Sequence, residues 1–170
     1  MGLFDIFTGT KRPAKGVVVC GDGELGAAIM GVNRDSAPFR VLPCEDGSCD
    51  YVAEWKIVDA KWYEVFAKAG LEKVFRVKMR LDPARHEVRA MDEEYTVEWR
   101  AGVPSLSLAV SGFKGQKSEV SFGTAYAFTE ELKPGQVYKY RFSTAEIKKP
   151  LQEAVLGCGW TWKGVAFGKL

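Results

Sequence analysis

The chain has 170 residues, of which 46% are hydrophobic and 27% are charged. This length and mixture predict one soluble domain with a substantial core and exclude collagen, coiled coil and general disorder. No run approaches the roughly 18 apolar residues of a membrane-spanning helix. The net charge of +2 argues against nucleic acid as a partner.

Residues 1–16 are interpreted as a terminal segment and connector, followed by a single globular domain over 17–170. The order of a secretory signal is missing, because Asp5 interrupts a short apolar run and the basic residues follow it. We therefore expect a cytoplasmic location. An open alternative is that the apolar residues at 3–7 contact an anionic membrane instead of their own domain.

The first motif is G-x-G-x-x-G, formed by Gly21, Gly23 and Gly26 between the apolar run 17–20 and a predicted helix of about ten residues. This context is that of a dinucleotide-binding turn. Asp22 and Glu24 place negative charge where a diphosphate would bind, which opposes that function. We therefore predict that Asp22 caps the helix, that the glycines serve the turn and that no cofactor is bound.

Four cysteines are present, at positions 20, 44, 49 and 158. Without an export signal they are interpreted as reduced thiols. Cys44 and Cys49 have a spacing that zinc ligands use, and they could also form a regulatory disulfide. We predict no metal, because the two further ligands would have to come from isolated positions.

The central part of the chain predicts a strand at 51–58, a helix at 59–70 and strands at 74–81, 87–91 and 94–100. The segment 74–81 alternates strictly, with apolar residues on one face and Arg76, Lys78 and Arg80 on the other. We expect Glu94 and Glu98 to face this basic row. The acidic clusters at 92–94 and 130–131 are interpreted as solvated turns.

Further strands are predicted at 106–111, 119–128, 137–142 and 160–167, with a helix at about 145–156 that begins with a capping box. The expected fold class is therefore α+β, with a predominantly antiparallel, strongly curved or barrel-like sheet. It has about three short helices, and the last packs on or inside the sheet.

Two further patterns bear on chemistry. The single histidine, His86, follows Asp82 and Pro83 in a predicted exposed turn, and no G-x-S-x-G motif supplies a nucleophilic serine. Basic residues on two predicted strands would form an anion-binding or partner-binding patch if the strands were neighbours. These residues are Arg76, Lys78, Arg80, Lys139 and Arg141.

The leading interpretation is a non-enzymatic binding or interaction domain, whose partner is another protein or an anionic surface. Two alternatives stay open. The first is an enzyme, either nucleotide-dependent through Gly21–Gly26 or acid/base through dispersed carboxylates. The second is peripheral binding to an anionic membrane.

Overall fold

A computed structural model describes residues 9–56, 73–100, 103–105, 110–115, 120–121, 142–165 and 170. Over these residues the chain forms two helices and ten strands. The helices are α1 (Asp22–Met30) and α2 (Thr144–Gly157). The strands are β1 (Phe39–Pro43), β2 (Tyr51–Trp55), β3 (Lys73–Asp82), β4 (Glu87–Thr96), β5 (Glu98–Arg100), β6 (Val103–Ser105), β7 (Val110–Gly115), β8 (Val120–Ser121), β9 (Phe142–Ser143) and β10 (Thr161–Gly164).

The main sheet has the strand order β1-β2-β3-β4-β10. Strands β1 to β4 are antiparallel to their neighbours, while β10 runs parallel to β4. The strand β3 occupies one edge of β4 along its whole length, so β10 and β7 share the other edge. β10 pairs with residues 87–90 and β7 with residues 92–95. The predicted α+β class with a mostly antiparallel sheet is confirmed.

The prediction of a barrel-like sheet is not confirmed. Within the described residues the sheet is neither closed nor strongly curled, because β1 ends it on one side and β7 and β10 end it on the other. The helix predicted at 59–70 lies outside the described residues, and so does the strand predicted at 137–142 except for Phe142, which belongs to β9. None of the helices in the described part of the chain is long and apolar enough to cross a membrane.

Both helices contribute to a core on one face of the sheet. Helix α1 buries Leu25 and Ile29, and α2 buries Ile147, Leu151 and Val155, the face that the helical spacing predicts. They meet the alternate, apolar side chains of the strands. The largest of these are Phe39, Trp55, Phe75, Val77, Met79 and Trp162. The helices therefore leave the opposite face of the sheet for polar residues.

Strand β4 corrects the prediction of two strands separated by an acidic turn. The strand continues from Glu87 to Thr96, and residues 90–95 are all buried. The register pairs Phe75 with Glu94 and Arg76 with Glu93. The prediction that Glu94 faces the basic row is therefore wrong, and Glu93 takes that position. The alternation rule fails here because this part of β4 is buried on both faces.

The connector is attached to the edge of this sheet. Lys11 forms an antiparallel bridge with Trp162 of β10, through two backbone hydrogen bonds of 2.8 and 2.9 Å. The edge of β10 that faces away from β4 is therefore partly paired, which limits its availability to other strands.

Candidate functional site

The basic residues of β3 lie on the face of the sheet opposite to the helices, which we call the polar face. Phe75, Val77 and Met79 lie in the core, so the intervening Arg76, Lys78 and Arg80 point away from it. The alternation in the sequence predicted this placement. Lys139 and Arg141, the other two residues of the predicted patch, lie outside the described residues.

A row of three cations crosses the polar face. Arg80 on β3 is the register partner of Arg89 on β4, and Arg89 is in turn the partner of Lys163 on β10. Neighbouring strands are about 4.8 Å apart, so the row spans roughly 10 Å. We call these three residues, Arg80, Arg89 and Lys163, the cation row. All three side chains are partly exposed to solvent.

Local contacts orient two members of the cation row. A guanidinium nitrogen of Arg80 donates to the backbone carbonyl of Gly47 at 2.7 Å. The ammonium of Lys163 is 3.4 Å from a carboxylate oxygen of Glu87, and its side chain is 44% exposed. A carbonyl group orients Arg80 without neutralising its charge.

The next row towards the β3–β4 turn is acidic. Asp82 and Glu87 are register partners there, and Asp82 also lies 3.8 Å from the exposed Arg85. The polar face is therefore striped, with a carboxylate row beside the cation row. A discrete anionic group covers less of this face than an extended anionic surface, which would meet both rows.

At the other end of the polar face, charges are buried and paired. Glu93 is 5% exposed and lies 3.5 Å from both Arg76 and Lys78, and its carboxylate accepts a hydrogen bond from Tyr95. Burial alone would raise the pKa of Glu93, but the Tyr95 hydroxyl and the two cations outweigh it and lower that pKa. Burial and the same hydrogen bond raise the pKa of Tyr95.

Arg89 and Lys163 were not among the residues of the predicted basic patch. The sequence does contain a signal for the outward direction of both side chains, because each lies between two buried neighbours. Arg89 lies between Val88 and Ala90. Lys163 lies between Trp162 and Gly164. The pattern shows that each side chain points away from the core. The pairing of β10 with β4 joins distant parts of the chain, and no local pattern specifies it.

The acidic cluster at 92–94 is not a solvated turn, which corrects that prediction. Asp92 is fully buried on the helix side of the sheet, and the ammonium of Lys148 on α2 lies 2.5 Å from its carboxylate. The absence of glycine, proline and asparagine in this stretch was the available signal against a turn. The buried ion pair connects α2 to the centre of β4.

Cys44 and Cys49 form a disulfide in the β1–β2 hairpin, with their Cα atoms 5.5 Å apart. This corrects the interpretation of both as reduced thiols. Together with Asp46 they form a possible ligand group in the described residues, but the bonded sulfurs are not the thiolates that zinc binds. Next to them, Ser48 accepts a 3.0 Å hydrogen bond from Lys78, which connects this hairpin to the polar face.

The glycine motif lies at the start of α1, where Gly21 is the N-cap in place of the predicted Asp22. The Gly21 amide donates a hydrogen bond to the Glu24 carboxylate at 3.0 Å. This amide, which a bound phosphate would use, is therefore already hydrogen-bonded to an anion of the same chain. The preceding run, Val17 to Val19, is exposed and forms no strand. These contacts favour a structural role for the motif over phosphate binding.

His86 lies in the exposed β3–β4 turn, as predicted, with a positive φ of 49°. Its ring packs edge to face on Trp160, with the centroids 5.4 Å apart. In the described residues no serine or cysteine is hydrogen-bonded to this imidazole. Among the residues that the structure describes, His86 is therefore not part of a nucleophile and base pair of the serine-hydrolase kind.

A cavity of about 510 Å³ lies between the end of α1 and the first half of α2. Its lining carries charges of both signs. Arg34 and Lys149 are the basic residues, and Glu146 and Glu153 are the acidic ones. Burial raises the pKa of Glu146. Because the charges of the lining balance, the cavity favours no particular class of charged ligand, in contrast to the cation row.

Comparison of the chain with protein families, with curated proteins and with solved structures finds no match. The function of the chain is therefore inferred from the geometry of the site.

Proposed function

We propose that this chain is a binding domain, and that the cation row on its polar face recognises a phosphate group carried by another protein. The proposal is supported chiefly by the register, which places Arg80, Arg89 and Lys163 side by side on three adjacent strands. Nothing in this proposal requires the domain to catalyse a reaction.

The register places two pairs of like-charged residues side by side in the row, Arg80 with Arg89 and Arg89 with Lys163. A guanidinium offers several donors in one plane, which suits the oxygens of a phosphate, and an ammonium adds a compact charge beside them. Two arginines and one lysine are therefore a suitable set of donors for a phosphate monoester.

The carboxylate row favours a discrete phosphate over a membrane. A bilayer surface that approached the cation row would also approach Asp82 and Glu87, and that contact would be repulsive. A single phosphate group on a protein segment covers a smaller area, so it brings less negative charge near these two carboxylates than a bilayer surface would.

The experiment is an amide NMR titration of the full chain with inorganic phosphate and with a phosphoserine peptide, at constant ionic strength. We expect shifts in the residues around positions 80, 89 and 163, with tighter binding of the peptide. The double variant R80A/R89A should lose these shifts. The matched control is R85A, since Arg85 is an exposed arginine in the adjacent turn whose side chain is 68% exposed and outside the row.

The binding of the three proteins and a vesicle assay decide between the phosphate proposal and the membrane alternative. Equal binding by wild type, R80A/R89A and R85A would contradict the proposal. A second assay measures sedimentation with vesicles that contain phosphatidylserine. If vesicles bound the wild-type chain through the cation row and the phosphopeptide did not bind, the membrane alternative would replace this proposal.

A further inference from the structure

Cys20 and Cys158 come from opposite ends of the domain and are held side by side. Cys20 directly precedes the N-cap of α1, and Cys158 directly follows α2. The Cys20 amide donates to the Cys158 carbonyl at 3.0 Å, and the Trp160 indole donates to the Cys20 carbonyl at 2.9 Å. Two independent hydrogen bonds therefore fix the backbone of Cys20 beside the end of α2.

Close packing reinforces this arrangement at the next residue. Gly159 has a positive φ of 72°, and a side chain there would start 2.9 Å from the carbonyl oxygen of Val18. That distance leaves no room for a Cβ atom, so the chain before Cys20 lies directly on the turn after α2. The juxtaposition of the two cysteines is thus a consequence of the tertiary packing.

Both cysteines are free and only partly buried, so small reagents can reach them. The interaction with the Cys158 side chain contributes to the raised pKa of the Cys20 thiol, as expected for two neighbouring thiols. A direct backbone hydrogen bond between the two residues holds their main chains within the short range that a disulfide requires.

We propose that Cys20 and Cys158 are a redox-sensitive pair that closes to a second disulfide when a low-molecular-weight disulfide such as oxidised glutathione is present. One cysteine thiolate attacks the small disulfide, forms a mixed disulfide and releases one small thiolate. The other cysteine, as a thiolate, then attacks the protein sulfur of the mixed disulfide and releases the second small thiolate. The two cysteines lose two electrons and two protons, and the small disulfide takes up both electrons.

The environment of Cys20 indicates which thiol reacts first. Burial and the neighbouring Cys158 raise the pKa of Cys20 to about 11, so Cys20 stays protonated at neutral pH. Cys158 is therefore expected to attack the oxidant, and Cys20 to close the bond. Closure would attach the exposed segment Val17–Val19 covalently to the end of α2.

The test uses the wild-type chain, incubated with oxidised glutathione, blocked with N-ethylmaleimide and mapped by mass spectrometry without reduction. We expect a peptide in which residues 20 and 158 are cross-linked, with the loss of two hydrogens and no intermolecular dimer. Both sites should become inaccessible to N-ethylmaleimide, and closure should be faster at higher pH. The same oxidation in urea should give mixed pairings, because the fold holds the two sulfurs together.

The conservative variants C20S and C158S provide the controls. Each should form no internal cross-link and should instead keep a glutathione adduct on its remaining cysteine. The proposal is overturned if both wild-type cysteines stay free for alkylation, or if each carries a separate glutathione adduct. Cross-links between two chains would likewise contradict it. If R80A/R89A forms the same internal cross-link as wild type, the redox pair is independent of the proposed phosphate site.

Discussion

The buried ion pair between Asp92 and Lys148 gives the sharpest stability prediction. Asp92 is fully buried, and the Lys148 side chain is only 10% exposed with its ammonium 2.5 Å from the carboxylate. Replacement of Lys148 by methionine keeps most of the side-chain volume and removes the charge. We expect K148M to lose about 3–5 kcal/mol of unfolding free energy, because a buried carboxylate is left without this cation.

The measurement is chemical denaturation at neutral pH, together with a thermal melt. For a chain of this size each kcal/mol corresponds to about 2–4 °C, so the melting temperature should fall by roughly 6–20 °C. The matched control is K149M, since Lys149 is the next residue of α2 and is exposed. Its effect should stay within about 0.5 kcal/mol.

A double variant separates lost charge from lost packing. In D92N/K148M the buried charge is gone, so this variant should be more stable than K148M. If K148M were as stable as K149M, or if D92N added its full cost to that of K148M, our account of how α2 is attached to β4 would be wrong.

Two further predictions concern Glu93 and the glycines of α1. The folded pKa of Glu93 is lowered, so its stabilising contribution is present above its unfolded pKa of about 4.3 and is lost as the pH falls through the folded value. Acid titration of stability should therefore show a weaker loss in E93Q than in wild type, and identical profiles would contradict this. At Gly23 nothing lies near an added Cβ, so G23A should stabilise the helix by about 0.5–1 kcal/mol. At Gly26 a Cβ would collide with the Tyr51 hydroxyl, so G26A should gain less than G23A or lose stability, and Y51F should relieve part of that effect in urea unfolding.

Local patterns were sufficient where one face of an element is buried and the other is not. The strict alternation of residues 74–81 placed Arg76, Lys78 and Arg80 on the polar face, and helical spacing placed Ile147, Leu151 and Val155 in the core. In both cases the period of the side chains matches the period of the backbone. The same rule failed for residues 92–94, because the acidic side chains there are buried against cations from other elements.

The sequence by itself determined the α+β class, the exposed turn at His86 and the outward direction of the basic residues of β3, since each depends on neighbours within a few positions. Only the tertiary structure decided which charges meet. The alignment of Arg80, Arg89 and Lys163 requires the parallel pairing of β10 with β4. The contact of Asp92 with Lys148 requires α2 to lie on β4. Cys20 reaches Cys158 only when both ends of the domain are in place. These contacts join residues far apart in the chain, and their selection depends on the packing of the whole core, which no short segment encodes.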